Sequence, residues 1–229
     1  MKQITIAIDG FSSTGKSTLA KQLAKALGYV YVDTGAMYRA VTLFAMQNEL
    51  VKDGTLDGAA LVDRLDEITL KFVFNPELGY AEMYLNGENV EKAIRTLSVS
   101  KWVSHVAEIA EVRKKLVQLQ QEMGKVKGIV MDGRDIGTVV FPEAELKIFM
   151  TASPEKRAYR RYKELLDRGE KVSYADILEN VEKRDHIDSH REESPLRKAA
   201  GSITFDNSDM GLKEQFERIH NYALRVIQG

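Results

Sequence analysis

Short apolar runs alternate along this chain with segments in which apolar residues recur every three or four positions. The runs are typical of buried strands and the wider spacing is typical of helices. This alternation predicts an α/β fold of three layers, with a parallel sheet flanked by helices on both faces. The longest helical pattern covers residues 103–123. The predicted core strands are residues 4–8, 29–32, 129–131, 146–150 and 202–205.

One region breaks the alternation. Residues 68–74 and 80–85 alternate between apolar and polar positions on either side of a turn-like segment at 75–79, and Asn86-Gly87 is a second turn signal. The pattern predicts a small antiparallel module inserted into the α/β core, where it can carry groups that bind a substrate. The expected domains are a discontinuous core of residues 1–60 and 104–229, an insert of residues 61–103 and, within the core, a short helical lid of residues 154–172.

The first predicted strand leads directly into a glycine-rich loop. Gly10 is followed by four residues and then by Gly15-Lys16-Ser17, which completes the pattern G-x-x-x-x-G-K-[ST] where a strand ends and a helix begins. Such a loop wraps its backbone N–H groups around a polyphosphate, and the helix N-terminus adds a positive end. We therefore expect Lys16 to reach the β- and γ-phosphates of a nucleotide and Ser17 to hold Mg²⁺. The alternative is a plain Gly/Ser turn, but the helical spacing of apolar residues after the loop argues against it.

A later strand leads into a second polar segment, Asp132-Gly-Arg-Asp135. A carboxylate at the end of a strand beside a phosphate loop is suited to hold Mg²⁺ through its water shell, which is the role expected for Asp132. Gly133 permits close approach of a ligand. Arg134 and Asp135 then project from the sheet edge where open α/β folds bind ligands. The alternative is a common Asp-Gly turn followed by a surface ion pair.

Arginines are concentrated in two further segments. Arg157, Arg160 and Arg161 lie at i, i+3 and i+4, so they share one face of a predicted helix. They can belong to a mobile lid that closes over transferring phosphates, or they can be paired with acidic neighbours on a solvated helix. Arg39 lies about one turn into the helix after the second strand, where it can act as a bidentate clamp on a phosphate.

A helical pattern at residues 174–191 changes character along its length. Its first core-facing positions are apolar, and the same spacing then continues through Arg184, Asp188 and Arg191. This change predicts a helix that leaves the core and lines a polar cleft. The alternative is a surface ion pair between Arg184 and Asp188.

Composition narrows the class of protein. Among 229 residues, 33 lysines and arginines nearly balance 34 aspartates and glutamates, so no global field recruits nucleic acid or a membrane. The absence of cysteine excludes disulfides and thiolate metal sites and fits a reducing cytoplasm. No apolar run approaches a transmembrane length, and the start lacks the form of a signal peptide. We therefore expect a cytoplasmic monomer that acts on small molecules.

Together these segments resemble the bacterial cytidylate kinase family of P-loop nucleoside monophosphate kinases, from Ile4 to about Phe216. The phosphate loop is shared with many unrelated enzymes, whereas the string from Asp132 to Pro142 is far more restrictive. The segments that carry the resemblance are the phosphate loop, Asp33-Thr-Gly-Ala-Met-Tyr-Arg39, Ile94-Arg-Thr96, Asp132-Gly-Arg-Asp-Ile-Gly-Thr-Val-Val-Phe-Pro142 and the set Arg184-Asp, Asp188 and Arg191.

The resemblance implies direct in-line transfer of the γ-phosphoryl group of MgATP to CMP or dCMP in pyrimidine nucleotide metabolism. It implies that Ser104, Arg113 and Asp135 read the pyrimidine, that Asp188 and Arg184 hold the sugar, and that Arg39, Arg134 and Arg191 meet the acceptor phosphate. The ATP-binding residues are then Gly10, Ser12, Ser13, Thr14, Gly15, Lys16, Ser17 and Thr18. Thr34, Tyr38 and Gly133 complete the CMP site, Ser17 and Asp132 form the metal site, and the catalytic residues are Lys16, Arg134, Arg157, Arg161 and Arg191.

Two other functions compete with this interpretation. One is a kinase for another acceptor, such as UMP or a small hydroxylated metabolite. A hydroxyl acceptor more often needs a general base, whereas a phosphate acceptor is already ionised near neutral pH, and none of the four histidines lies inside the phosphate motifs. The other is a nucleotide-dependent switch protein, which leaves the clustered arginines unexplained.

Overall fold

A computed structural model describes residues 2–229. Among these residues, no helix combines the length and the apolar composition that crossing a bilayer requires. The strands are β1 (Thr5–Gly10), β2 (Val30–Asp33), β3 (Val51–Lys52), β4 (Thr55–Leu56), β5 (Leu70–Asn75), β6 (Tyr80–Leu85), β7 (Glu88–Asn89), β8 (Ile129–Gly133), β9 (Leu146–Thr151) and β10 (Ile203–Asp206). The α-helices are α1 (Lys16–Leu27), α2 (Thr34–Gln47), α3 (Gly58–Asp63), α4 (Leu97–Glu108), α5 (Ala110–Met123), α6 (Pro154–Asp167), α7 (Tyr174–His190) and α8 (Leu212–Gln228).

Five strands form the main sheet in the order β10-β9-β1-β8-β2, which confirms the predicted core strands and the α/β fold. Strand β1 pairs in parallel with β8 and with β9, and β9 pairs in parallel with β10. The register places Ile8 beside Asp132 on one side and beside Ile148 on the other. Because every residue of β1 is buried, the strand is apolar between Thr5 and its polar end, without the alternation of a half-exposed strand. The carboxyl ends of β1 and β8 therefore lie at the same edge.

Close packing fixes a glycine at the end of β1. Gly10 has a φ of 146°, and a Cβ atom added there would lie 2.0 Å from the carbonyl oxygen of Met150 in β9. No side chain can occupy that space without moving the neighbouring strand. The first glycine of the phosphate-loop pattern thus serves the approach of two strands as well as the loop that follows.

The chain forms two compact units, one running up to Val32 and resuming at Gly124, and the other covering Asp33–Met123. Each unit has its own apolar core. Side chains of β1, β9, α1 and α8 contribute to the core of the first unit, while α2, β6, α4 and α5 contribute to that of the second. The second unit contains the segment 61–103 that the sequence predicts as an insert, and it is larger than that segment.

The second unit contains the predicted antiparallel hairpin. Strands β5 and β6 pair from Leu70 with Leu85 to Asn75 with Tyr80, and β7 follows after the second turn. Met83 and Leu85 alternate on one buried face and belong to the core of this unit. The period-two pattern of the sequence is therefore confirmed as one half-buried sheet face.

The prediction of one unbroken helix over residues 103–123 is wrong. Helix α4 ends at Glu108, Ile109 has an extended backbone with φ −68° and ψ 118°, and α5 begins at the next residue. Val106 before the break and Val112 after it pack into the same apolar core. The apolar spacing therefore indicates that both helices bury residues in one core, but it does not reveal that the backbone changes direction at Ile109.

Candidate functional site

The phosphate-loop pattern lies between β1 and α1 in the first unit. Gly15 is the N-cap of α1 with a left-handed φ of 87°, so this cap position has no side chain that could accept a hydrogen bond from the first turn of the helix. The N-terminal N–H groups of α1 are suited to bind a ligand, and the helix dipole favours an anion there. Ser12, Thr14 and Lys16 are all buried within the loop.

The ammonium group of Lys16 lies over its own loop. Its Nζ atom donates to the carbonyl oxygen of Phe11 at 2.5 Å and to Oγ1 of Thr14 at 3.3 Å. Burial and then the positive charge of Arg134 lower the pKa of Lys16 to about 7, against the opposing effect of Asp132. A polyphosphate bound in the loop would place negative charge beside this amine and favour its protonated form.

Asp132 lies at the carboxyl end of β8 and is held on both of its oxygens. Its Oδ2 atom accepts from Oγ of Ser17 at 2.9 Å, and its Oδ1 atom accepts from the hydroxyl of Tyr31 at 2.8 Å. The two residues expected to serve a metal ion are thus brought together. Tyr31 was not predicted to belong to the site, because its only signal in the sequence is a hydroxyl on a strand whose place beside β8 the sequence does not show.

Asp9, the buried residue before Gly10, is a second site residue that was not predicted from the sequence. Its two carboxylate oxygens accept from the backbone N–H groups of Ile136 at 2.7 Å and Gly137 at 2.8 Å. Burial raises the pKa of Asp9 to about 6, although these two hydrogen bonds oppose the shift. Asp9 thereby fixes the π-helical turn Ile136–Val140 that directly follows Asp135.

A buried ionic group surrounds the end of α7. Nε of Arg134 donates to Oδ2 of Asp188 at 2.8 Å, and Arg184 and Arg191 are buried in the same unit. Burial alone raises the pKa of Asp188, but Arg134, Arg184 and Arg191 outweigh burial and lower it to about 2. Burial and the charge of Arg134 lower the pKa of Arg184 to about 10. The predicted charged stripe of this helix therefore lies in a polar interior rather than on a solvated surface.

This group predicts how stability depends on acid. The pKa of Asp188 is about 2 in the folded chain and 3.8 as its ordinary value, so its stabilising charge is complete above pH 3.8 and is lost as pH falls toward 2. In Asp188→Asn the proton uptake on unfolding should therefore fall, by at most about 0.8 proton near pH 3. Denaturant unfolding at a series of pH values measures this proton uptake, as the slope of the unfolding free energy against pH. Asp176→Asn, at the exposed start of α7, is the control, and an unchanged acid dependence in Asp188→Asn would contradict the prediction.

The arginines of α6 have different surroundings although they share the predicted helix. Arg157 is only 2% exposed and donates to the carbonyl oxygens of Ala152 at 2.8 Å and Ser12 at 3.2 Å and to the carboxylate of Asp185. Arg161 donates to the exposed carboxylate of Glu164 at 2.9 Å. Arg157 thus contacts the backbone of the phosphate loop, and its expected contact with a transferring phosphoryl group stays a prediction.

In the second unit, Arg95 and Asp33 organise the start of α2. Oδ1 of Asp33 accepts from the N–H of Ala36 at 3.0 Å and caps the helix, while Oδ2 accepts from Arg95 at 2.8 Å. Burial opposes the ionised form of Asp33, but the neighbouring Arg95 guanidinium lowers the pKa of this carboxyl below its usual range. Arg39 donates to the carbonyl oxygen of Ile94 at 3.1 Å. The adjacent residues Ile94 and Arg95 therefore contact both ends of the segment from Asp33 to Arg39.

Four other predicted ligand residues lie in the second unit. Thr34, Tyr38, Ser104 and Arg113 are all buried. The guanidinium of Arg113 lies 5.4 Å from the centre of the Tyr38 ring and donates to the carbonyl oxygen of Ala107 at 3.2 Å. Arg113 lies on the first turn of α5, so the break at Ile109 decides where this side chain is directed.

Comparison with known proteins gives one consistent result. A family model described as cytidylate kinase matches residues 6–225. A cytidylate kinase of Flavobacterium johnsoniae is 66% identical over 228 residues, which cover 100% of this chain and 99% of that protein. A cytidylate kinase of Bacteroides fragilis is 57% identical over 217 residues and covers 95% of each chain.

Two solved structures are more distantly similar. A shikimate kinase from Bacteroides thetaiotaomicron has a TM-score of 0.48 at 12% identity, with full coverage of both chains. A gluconokinase from Sinorhizobium meliloti has a TM-score of 0.49 at 13% identity, covering 99% of this chain and 94% of that one.

Proposed function

Because this chain belongs to the cytidylate kinase family, we propose which of its residues carry the transfer of a phosphoryl group from ATP to CMP. The donor is bound at the loop between β1 and α1. Backbone N–H groups of residues 10–18 surround its phosphates, and Lys16 moves from the carbonyl oxygen of Phe11 onto the β- and γ-phosphates. The transfer is then direct and in line, from the γ-phosphoryl group to a phosphate oxygen of CMP.

The single observation that carries this assignment is the concentration of buried positive charge in the first unit. Arg134 and Arg184 lie close enough to Lys16 that their charges lower its pKa. The phosphates of a nucleotide bound at the loop would neutralise the charge of Lys16. The phosphate of a second ligand would neutralise the arginines, whose charges stabilise the negative charge that develops on the transferring group.

We propose the following acceptor site. Arg39, Arg134 and Arg191 bind the phosphate of CMP or dCMP, and Asp188 with Arg184 binds the sugar. Asp135 accepts a hydrogen bond from the exocyclic amine of cytosine, assisted by Ser104 and Arg113. Uracil presents a carbonyl oxygen at that place, which a buried carboxylate repels. Thr34, Tyr38 and Gly133 are the remaining residues that we propose to contact CMP.

The donor set of Ser17 and Asp132 fits Mg²⁺. Mg²⁺ is bound in nucleotide enzymes by one or two protein oxygens, with waters and phosphate oxygens as its other ligands, so a cluster of three acidic residues is not required. Ser17 and Asp132 already contact each other at 2.9 Å, and Tyr31 fixes the remaining carboxylate oxygen. When bound, the ion would neutralise charge on the β- and γ-phosphates.

An acceptor panel tests the proposal. ADP release is measured with CMP, dCMP, UMP, AMP and GMP, each with Mg²⁺ and again with excess EDTA. We expect ADP release with CMP and dCMP and much less ADP release with UMP. In excess EDTA, which removes Mg²⁺, we expect no ADP release with any acceptor. Activity restricted to AMP or GMP, or ATP turnover that ignores every acceptor, would overturn the assignment. Full activity in EDTA would overturn the metal site alone.

A further inference from the structure

Asn207 lies just after β10 and is completely buried. Its Nδ2 atom donates to the carbonyl oxygen of Thr14 at 2.7 Å and to Oε1 of Gln215 at 2.8 Å. Its own N–H group donates to the carbonyl oxygen of Thr151 at 3.0 Å. The side chain therefore spans from the end of the sheet and α8 to the backbone of the phosphate loop.

The accepting atoms of Asn207 are occupied by one arginine of α6. Arg160 donates from Nη1 to Oδ1 of Asn207 at 3.0 Å and from Nη2 to its carbonyl oxygen at 2.7 Å. The guanidinium thus holds both the amide and the backbone of one residue, a bidentate arrangement that fixes orientation. Every polar group of Asn207 thus has a hydrogen-bond partner within the protein.

Two carbonyl groups of the phosphate loop are held in the same manner. The carbonyl of Thr14 accepts from Asn207, and that of Ser12 accepts from the buried Arg157 at 3.2 Å. A trans peptide unit is planar, so its C=O and N–H groups point in opposite directions. Fixing these two carbonyls toward the protein therefore turns the N–H groups of Ser13 and Gly15 away from it, toward a bound polyphosphate.

We propose that Asn207 is a positioning residue for ATP, because it fixes the Thr14–Gly15 peptide of the phosphate loop in the orientation that binds phosphate. Arg160 of α6 in turn fixes Asn207. The inference rests on the proposed donor site and adds a role for residues that the transfer itself does not use. It also gives the predicted lid helix a second function, since two of its arginines support the loop from behind.

Asn207→Asp tests the contact with almost no change in volume. The carboxylate keeps an acceptor for Arg160 but loses the donor to Thr14, and it repels that carbonyl group. We expect the dissociation constant of ATP to rise about tenfold or more, with the dissociation constant of CMP within about twofold of wild type. Titration calorimetry with each nucleotide measures both, and the KM for ATP should rise while the KM for CMP does not.

Asp209→Asn is the matched control on the same loop, because the Asp209 side chain is 85% exposed and pairs with Lys156 at the surface. If the role of Asn207 were purely structural, Asn207→Asp would lower the free energy of unfolding and leave the ATP affinity of the folded protein unchanged. An ATP affinity of Asn207→Asp within about twofold of wild type therefore overturns the proposal.

If Asn207→Asp fails to fold, Arg160→Gln tests the proposal instead. This substitution removes the two hydrogen bonds by which Arg160 of α6 holds Asn207. A severalfold weaker ATP affinity would support the proposal, and an unchanged affinity would overturn it. ATP binding is measured without an acceptor. Wild-type protein that binds ATP but fails to phosphorylate CMP would therefore contradict the proposed function, whereas the ATP affinities of the variants would still test this inference.

Discussion

Lys16→Met is expected to lower kcat by about three orders of magnitude while the protein remains folded, since the loss of one preorganised charge at a transferring group has an effect of that size. Methionine preserves the length and the apolar part of the buried side chain and removes only the ammonium group. In the structure this group donates to Phe11 and Thr14 of its own loop, so it is already held within the donor site. Initial rates at saturating ATP and CMP measure the effect.

Lys25→Met is the matched control for Lys16→Met. Lys25 lies in the last turn of the same helix, α1, and is exposed, so the same substitution there removes an equal charge far from the loop. Its kcat should stay within about twofold of wild type. A Lys16→Met enzyme that retained a tenth or more of the activity would show that the loop backbone alone binds the donor productively.

Asp135→Asn is expected to reduce the preference for CMP over UMP by roughly a hundredfold or more. A site built to accept a hydrogen bond rejects a base that offers an acceptor instead, and the amide of asparagine can present its N–H group to uracil. Asp135 is buried directly before the turn that Asp9 holds, so its side chain has little freedom to retreat. The ratio of kcat/KM for CMP to that for UMP is the measured quantity.

Two further measurements make the Asp135→Asn result specific. The affinity for ATP should change much less than the CMP preference, because the donor loop is not altered. Glu143→Gln, an exposed carboxylate in the segment that follows, should leave the preference unchanged. Equal losses of kcat/KM for CMP and UMP would mean that another residue reads the base.

Local chemistry explains what could be predicted from the sequence. The strands of the main sheet are short apolar runs because both faces of that sheet are covered, and the phosphate loop is a continuous stretch whose residue types follow from one binding task. Asp132 was predictable for the same reason, because it ends a strand beside the loop. Each of these features is contained within about ten consecutive residues.

The missed features depend on partners that are distant in the chain. Asp9, Tyr31 and Asn207 are ordinary polar residues in the sequence, and their roles come from contacts with Gly137, Asp132 and Thr14. The order of strands in the sheet decides the first two contacts. No periodicity records such pairs, because it reports only which side of an element is buried.

Arg157 illustrates a further limit. Its spacing from Arg161 is correct for one face of α6, yet Arg157 donates to backbone carbonyl groups, whereas Arg161, whose side chain is 12% exposed, pairs with the exposed carboxylate of Glu164. Charge patterns along a helix do not reveal which partners its arginines bind, since arginine can satisfy its donors with carbonyl oxygens as well as with phosphate.

The division of the chain has a consequence for synthesis on the ribosome. The second unit is one continuous segment, Asp33–Met123, so it can fold as soon as that stretch has emerged. Strand β1 must wait for β8 and β9, more than a hundred residues later, and the Thr14 carbonyl waits for Asn207. The phosphate loop therefore reaches its folded geometry only after strands and side chains that are translated much later have packed against it.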